Sequence, residues 1–388
     1  MIKILIAEDS PTVTLILQKI FASDDECQVI GTAKNGKEAV DKVKLLRPDI
    51  VTMDIRMPIM DGFEATKQIM TYHPTPILVI SASVGKDDDL NIAFNAIRAG
   101  ALDIVEKPKG NLAMDYEYIG RDLIKKVKIL SGVKVFHHVS GTSIRARSES
   151  SRTNGIPDTT QKASAVPLSI KTLTTRDMLV ADKRLYPKVK APAKPAELIT
   201  IASSTGGPSA LLKVLKNLPE TFPVPIVIVQ HICEGFGQGF VDWLNKECTL
   251  TVKTAERSEV LTQGSIYVAP DGFHLLIDPG KVVRLSKSMP VNGLRPCATL
   301  MMESAAKVCG ASTIGVILTG MGRDGADGMK AIKEAGGMNI AQSPETCVVF
   351  GMPKEAIDLG VVDKILPIDR IAADLEMVTK MNEVESAN

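Results

Sequence analysis

The sequence of 388 residues is short of several things, and each shortage removes a class of function. It has almost no net charge: 46 Lys and Arg offset 45 Asp and Glu, leaving +1. That balance gives no electrostatic reason to expect nucleic acid or an anionic membrane as partner. No apolar run approaches the ~18–20 residues of a membrane-spanning helix, so the chain is not expected to be membrane-embedded. The opening Met1-Ile2-Lys3-Ile4-Leu5-Ile6 meets Glu8 and Asp9 too early to read as a signal peptide. The six cysteines lie far apart with no Cys-x-x-Cys, which predicts reduced, buried thiols in a cytoplasmic protein rather than disulfides or zinc. Among only five histidines, the adjacent His137-His138 falls in a polar stretch, a poor setting for a metal site.

What is present is alternation. In residues 1–130, short apolar runs at Ile2–Ala7, Cys27–Ala33, Ile50–Met53, Ile77–Ser81 and Leu102–Val105 alternate with helical periodicity. About five such units predict a doubly wound α/β fold, flavodoxin-like, with strand order 2-1-3-4-5. Ser10-Pro11 reads as a helix cap and first turn. Residues 131–196 turn to Ser, Thr, Lys, Arg, Pro and Ala, and are expected to form a linker with one marginal helix near Ile170–Val180. Residues 197–388 return to α/β alternation, with a more β-rich stretch from Leu250 to Leu285, and predict a second, mainly parallel, doubly wound sheet. There is no internal repeat.

In the first part, Glu8 and Asp9 end the first strand and Asp54 ends the third. The predicted order makes those strands neighbours, so three carboxylates meet at one edge, a set suited to Mg2+. One of them is then placed to attack phosphorus. Ser81 ends the fourth strand and Lys107 follows the fifth, where hydroxyl and ammonium suit phosphoryl oxygens. Any one of these residues alone reads as a solvated strand end; their joint placement favours a phosphorylatable pocket.

Ile6-Ala7-Glu8-Asp9-Ser10, Met53-Asp54-Ile55-Arg56-Met57-Pro58 with Asp61-Gly62, Ser81-Ala82 and Lys107-Pro108 resemble a response-regulator receiver domain over roughly residues 1–125. The resemblance implies phosphorylation of Asp54 by a chemotaxis histidine kinase, with Glu8, Asp9 and Asp54 on Mg2+ and Ser81 and Lys107 carrying the phosphate signal outward. Receivers usually place an aromatic three residues before this Lys; here the position holds Ile104.

In the second part, three reactive residues each lie just past an apolar run: Ser204 after Leu198–Ala202, His231 after Ile226–Val229, and Asp324 after Thr313–Leu318. Ligands in open α/β sheets bind outside the carboxyl ends of strands. Ser, His and Asp delivered to one edge are the parts of an activated-serine hydrolase. Ala202-Ser203-Ser204-Thr205-Gly206-Gly207-Pro208 permits a sharp strand-to-helix turn. Two rivals stand beside that reading: a phosphate-binding loop, which lacks the P-loop Lys, and a capping Ser-Thr pair without chemistry. His274, inside a β-pattern, reads as structural or substrate-facing. The glycines around Met321 permit tight backbone geometry and an oxyanion-binding N–H.

Ser204-Thr205-Gly206-Gly207, Gln230-His231, Tyr267-Val268-Ala269-Pro270, Val291-Asn292-x-x-Arg295-Pro296, Gly315–Asp324 and Cys347–Pro353 resemble the chemotaxis protein-glutamate methylesterase family. The resemblance implies Ser204 as nucleophile, His231 as general base and Asp324 as orienting acid, with Thr205 and Met321 supporting. It also implies demethylation and deamidation of methyl-accepting chemotaxis receptors, no cofactor for hydrolysis, and activation by phosphorylation. Ala202-Ser203, Ile232-Cys233-Glu234 and Cys297-Ala298-Thr299 depart from the family's usual residues at their positions. An alternative keeps the receiver and makes the second domain a docking module without catalysis. A transcriptional regulator would need a basic DNA-reading helix, and residues 197–388 show none.

Overall fold

The computed structural model describes residues 1–81, 87–108, 113–135 and 194–385. The expected linker, 131–196, and its helix near Ile170–Val180 lie outside the described residues except at the linker's two ends.

The N-terminal half runs β1 (Ile2–Ala7), α1 (Pro11–Ala22), β2 (Cys27–Ala33), α2 (Gly36–Leu46), β3 (Ile50–Asp54), α3 (Gly62–Tyr72), β4 (Ile77–Ser81), α4 (Asp87–Arg98), β5 (Asp103–Glu106) and α5 (Ala113–Leu130). Its sheet has the predicted order β2-β1-β3-β4-β5, with every pairing parallel. Both faces of β3 and β4 are buried, which is why their sequences are apolar without alternation. The Ser10 hydroxyl accepts from the Val13 N–H and Pro11 opens α1, as the sequence predicts.

The C-terminal half runs β6 (Leu198–Ser203), α6 (Gly207–Leu215), β7 (Ile226–Gln230), α7 (Gly237–Glu247), β8 (Thr251–Thr254), β9 (Ser265–Val268), β10 (His274–Asp278), β11 (Val282–Ser286), α8 (Ala298–Cys309), β12 (Thr313–Ile317), α9 (Ala326–Glu334), β13 (Met338–Gln342), α10 (Met352–Asp358), β14 (Lys364–Leu366) and α11 (Ile368–Glu385). Seven strands form one parallel sheet, β14-β13-β12-β6-β7-β9-β8. Among the described residues of this half, only strands β10 and β11 stand apart, as an antiparallel hairpin. From β6 the chain builds outward through β7 on one side and through β12 on the other. The β6/β12 boundary is therefore a topological switch point, where a crevice opens at the carboxyl ends.

Several elements escape a reading by apolar pattern, β13 and the three-residue β14 among them. In Met338-Asn339-Ile340-Ala341-Gln342, two amides interrupt the apolar run, yet all five residues are buried. Their amides act as internal ties. Asn339 Nδ2 donates to the Met329 and Val361 carbonyls at 2.6 and 2.9 Å. Gln342 Oε1 accepts from the Thr319 N–H at 2.8 Å.

The described residues fall in one compact unit, and the two halves pack on each other within it. Phe94 of α4 is fully buried, its ring centroid 5.5 Å from Trp243 and 5.6 Å from Phe240 of α7. Arg98 pairs with Glu247 at 2.6 Å beside them. That pair is more than half exposed on the Arg side and contributes ~1 kcal/mol at most, so the aromatic cluster dominates. Ile104, where receivers usually carry an aromatic, is buried in the same apolar cluster as Phe94.

Asn339→Ala would remove the donor that ties β13 to the Met329 and Val361 carbonyls. It is expected to lower unfolding free energy by about 2–4 kcal/mol, read as a lower denaturant midpoint with unchanged m-value.

Candidate active site

The serine turn follows from parallel register. Ser203 and Gln230, the last residues of β6 and β7, are paired, so Ser204 and His231 leave the sheet side by side. The His231 N–H donates to the Ser203 carbonyl at 2.9 Å. Gln230 then ties both turns: its Nε2 donates to the carbonyls of Ser204 (2.9 Å) and His231 (2.7 Å), and its Oε1 accepts from the Ser203 hydroxyl (2.6 Å). Ser203 is fully buried and committed to this contact, while Ser204 is half-buried. A Cβ at Gly207 would lie 2.0 Å from Gln230 Oε1, so the helix start must be glycine to seat that amide.

From the other side comes the loop after β12. The Ser204 N–H donates to the Thr319 carbonyl at 3.1 Å. A Cβ at Gly320 would lie 2.8 Å from the Ser204 Cβ, so this backbone passes directly against the serine. Met321 follows, half-buried. Thr205 is buried, and its carbonyl accepts from the Thr319 hydroxyl at 3.0 Å.

Asp324 completes the edge. Its Oδ2 lies 2.9 Å from His231 Nε2. The same oxygen accepts from the Ala298 N–H at 2.6 Å, and Oδ1 from Thr299 at 2.9 Å and Gly325 at 3.0 Å. The first two donors are the free N–H groups that open α8, a natural seat for an anion. Burial alone would push the Asp324 carboxyl up, but the His231 contact and these N–H donors hold it well below the usual carboxylate range. Since an ionised carboxylate only accepts, His231 Nε2 carries the proton, and in the neutral ring Nδ1 is left as the basic nitrogen. The α8 seat is invisible to residue-by-residue reading, because backbone N–H groups supply it. His274 is fully buried with Nε2 3.2 Å from the Met289 carbonyl, which resolves it as structural.

At the other edge, Glu8, Asp9 and Asp54 each offer an oxygen within 4.8 Å of the others. Lys107 Nζ lies 2.9 Å from Glu8 Oε2 and 2.8 Å from Asp54 Oδ2. Neither oxygen gains a well-aligned hydrogen bond from it. Buried carboxylate oxygens left so fit a hard cation such as Mg2+. Burial, and then the Asp54 charge, push Glu8 up; burial likewise pushes Asp54 up against the pull of Lys107. For Lys107 burial works downward, but the two carboxylates outweigh it and raise its pKa. Ser81, buried, ends β4 beside Asp54, and its carbonyl accepts from the Lys107 N–H at 2.9 Å.

The family model for the response regulator receiver domain matches residues 4–114, and that for CheB methylesterase matches residues 199–375. Together they define a response regulator joined to a methylesterase. The chain is 41% identical to protein-glutamate methylesterase/protein-glutamine glutaminase 1 of Syntrophus aciditrophicus, over 96% of this chain and 97% of that one. It is 40% identical to the protein of the same activity from Methanococcus maripaludis, over 95% of each. It also resembles the crystal structure of the Thermotoga maritima CheB methylesterase catalytic domain, with 44% identity, 47% of this chain and 98% of that chain covered, and a TM-score of 0.47. The chain belongs to the protein-glutamate methylesterase/protein-glutamine glutaminase family and is an enzyme. Among the described residues no helix is long and apolar enough to cross a membrane.

Raised carboxyl pKa values mean that Glu8 and Asp54 contribute stability at low pH that is lost as pH rises through their folded values. A bound cation offsets that loss at neutral pH. Mg2+ at ten times its Kd should stabilise the protein by about 1.4 kcal/mol, seen as a higher Tm. Asp9→Ala should abolish the shift.

Proposed function

We propose that this enzyme is a phosphorylation-activated serine hydrolase, with residues 1–130 as receiver, 131–196 as linker and 197–388 as catalytic domain. The observation that carries the reading is the 2.9 Å contact of His231 Nε2 with a buried, ionised Asp324, on the strand next to the one that delivers Ser204.

The Ser204 hydroxyl attacks the γ-carbonyl carbon of a glutamyl methyl ester while His231 Nδ1 takes its proton. The Asp324 carboxylate stabilises the resulting imidazolium and keeps the ring in orientation. The tetrahedral oxyanion is met by the Met321 N–H, with Thr205 supporting the turn. Collapse expels methanol, protonated by the imidazolium, and water then attacks the acyl-enzyme through the same base. With glutamine the leaving group is ammonia. The substrates are methyl-accepting chemotaxis receptors, and the outcome is sensory adaptation in the cytoplasm.

Asp54 receives a phosphoryl group from a chemotaxis histidine kinase. Glu8, Asp9 and Asp54 would hold Mg2+, whose charge screens the incoming phosphoryl oxygens, and Ser81 and Lys107 bind those oxygens. The coupling route is short. Val348 and Val349 pack against the receiver cluster that contains Ile80, Leu102 and Val105. A Cβ at Gly206 would come 2.6 Å from Val348, and the Gly320 N–H donates to the Val349 carbonyl. The unphosphorylated receiver thus stands one residue layer from the serine turn, and its release opens the crevice.

Methanol release from methylated receptor tests the chemistry: Ser204→Ala should lower it by about four orders of magnitude. Unchanged release would sink the serine mechanism. For regulation, a small phosphodonor with Mg2+ should raise the wild-type rate at least about tenfold, roughly 1.4 kcal/mol. Asp54→Ala should give no response to the donor.

A further inference from the structure

Asp324 is held by one more side chain, which the chemistry above does not use. Cys297 Sγ lies 3.1 Å from Oδ1, the carboxylate oxygen that does not face His231. Cys297 is 1% exposed and immediately precedes α8, so its sulfur and the Ala298 and Thr299 N–H groups converge on the carboxylate from one short segment. Burial first, and the Asp324 charge second, push the thiol up to about 12. The sulfur therefore keeps its proton at neutral pH, and toward an ionised carboxylate it can only donate.

We propose that Cys297 is a positioning residue for hydrolysis: its S–H donates to Asp324 Oδ1 and fixes the carboxylate so that Oδ2 is presented to the His231 ring. The proposal rests on the reading of Ser204, His231 and Asp324 as the hydrolytic machinery. The division of donors between the two oxygens supports it. Oδ2 is shared by His231 and the Ala298 N–H, whereas Oδ1 faces Cys297, Thr299 and Gly325. Of the groups on Oδ1, Cys297 alone is a side chain. A carboxylate tilted out of this plane would weaken the imidazole contact on Oδ2 together with the Thr299 and Gly325 bonds on Oδ1. The thiol is not a second nucleophile: it is protonated and enclosed, and its hydrogen bond runs to the carboxylate.

The test is steady-state methanol release by the full-length protein with phosphodonor and Mg2+ present, alongside thermal unfolding. Cys297→Ala is expected to lower kcat about tenfold with KM within about twofold, because orientation of the base is lost and substrate contacts are not. Cys297→Ser restores a donor and should return kcat to within about threefold of wild type. A wild-type kcat in Cys297→Ala overturns the proposal, as does a Cys297→Ser enzyme as slow as the alanine variant, which would make the sulfur a packing group only. Should Cys297→Ala fail to fold, the near-isosteric pair Cys297→Thr and Cys297→Val decides: an active Thr and an impaired Val variant support donation, and equal rates overturn it. Ser204→Ala is run in parallel, since retained activity there defeats the underlying mechanism rather than the role of Cys297.

Discussion

A negative charge kept ionised below the surface is the constraint on which the edge that carries Ser204 and His231 depends. Removing a carboxylate from water costs several kcal/mol unless donors replace the lost solvent. Asp324 meets that cost with the opening N–H groups of α8, the Gly325 N–H, the Cys297 thiol and His231. The start of α8 cannot move without exposing or stranding this charge, and the β12 loop that carries Asp324 cannot move without dragging the backbone that lies against Ser204. Sheet order, helix start and serine turn are therefore one mechanical assembly, fixed at the switch point between β6 and β12.

The Asp324 and Asp54 sites are built in opposite senses. Around Asp324 the donors outnumber what burial costs, and the carboxyl is held ionised with no further ligand. Around Asp54 burial wins over the pull of Lys107, and although Lys107 donates to Glu8 Oε1 at 3.1 Å, Glu8 Oε2 and Asp54 Oδ2 keep no hydrogen bond. The first arrangement is complete as folded. The second is poised to take up positive charge, which suits a site that would change state under the proposed phosphorylation.

Much of this was legible in the sequence because strand ends are marked twice, by the apolar run that precedes them and by the reactive residue that follows. That double mark placed Glu8, Asp9, Asp54, Ser81 and Lys107 on one edge and Ser204, His231 and Asp324 on another, and the parallel order did the rest. Elements without the mark were missed. β13 carries Asn339 and Gln342 inside, where amides serve as ties between backbone segments rather than as surface groups. The carboxylate seat at α8 was missed for a different reason: it is made of peptide N–H groups, which every residue except proline provides. Cys297-Ala298-Thr299 thus read only as a departure from a family pattern, although its backbone and sulfur hold Asp324.

The interface between the halves limits how a signal can cross it. With Ile104 in place of an aromatic, no large ring at that position is available to swing between an inward and an outward state. Ile104 is instead packed into the cluster that holds Phe94, Phe240 and Trp243. The segment just after His231 joins this cluster too, through Ile232 and Cys233, and burial pushes the Cys233 thiol up against the pull of receiver Lys126. Under the proposed gating, a change at Ser81 and Lys107 would reach the Ser204 edge as movement of packed β5 and α4 against α7, because side chains in a close-packed cluster do not rearrange singly. The Arg98–Glu247 pair at the rim is too exposed to hold the halves together by itself. Under that gating, loosening of this interface would also free Val348 and Val349, which pack against the receiver cluster of Ile80, Leu102 and Val105 and whose backbone is tied to Gly320 beside Ser204.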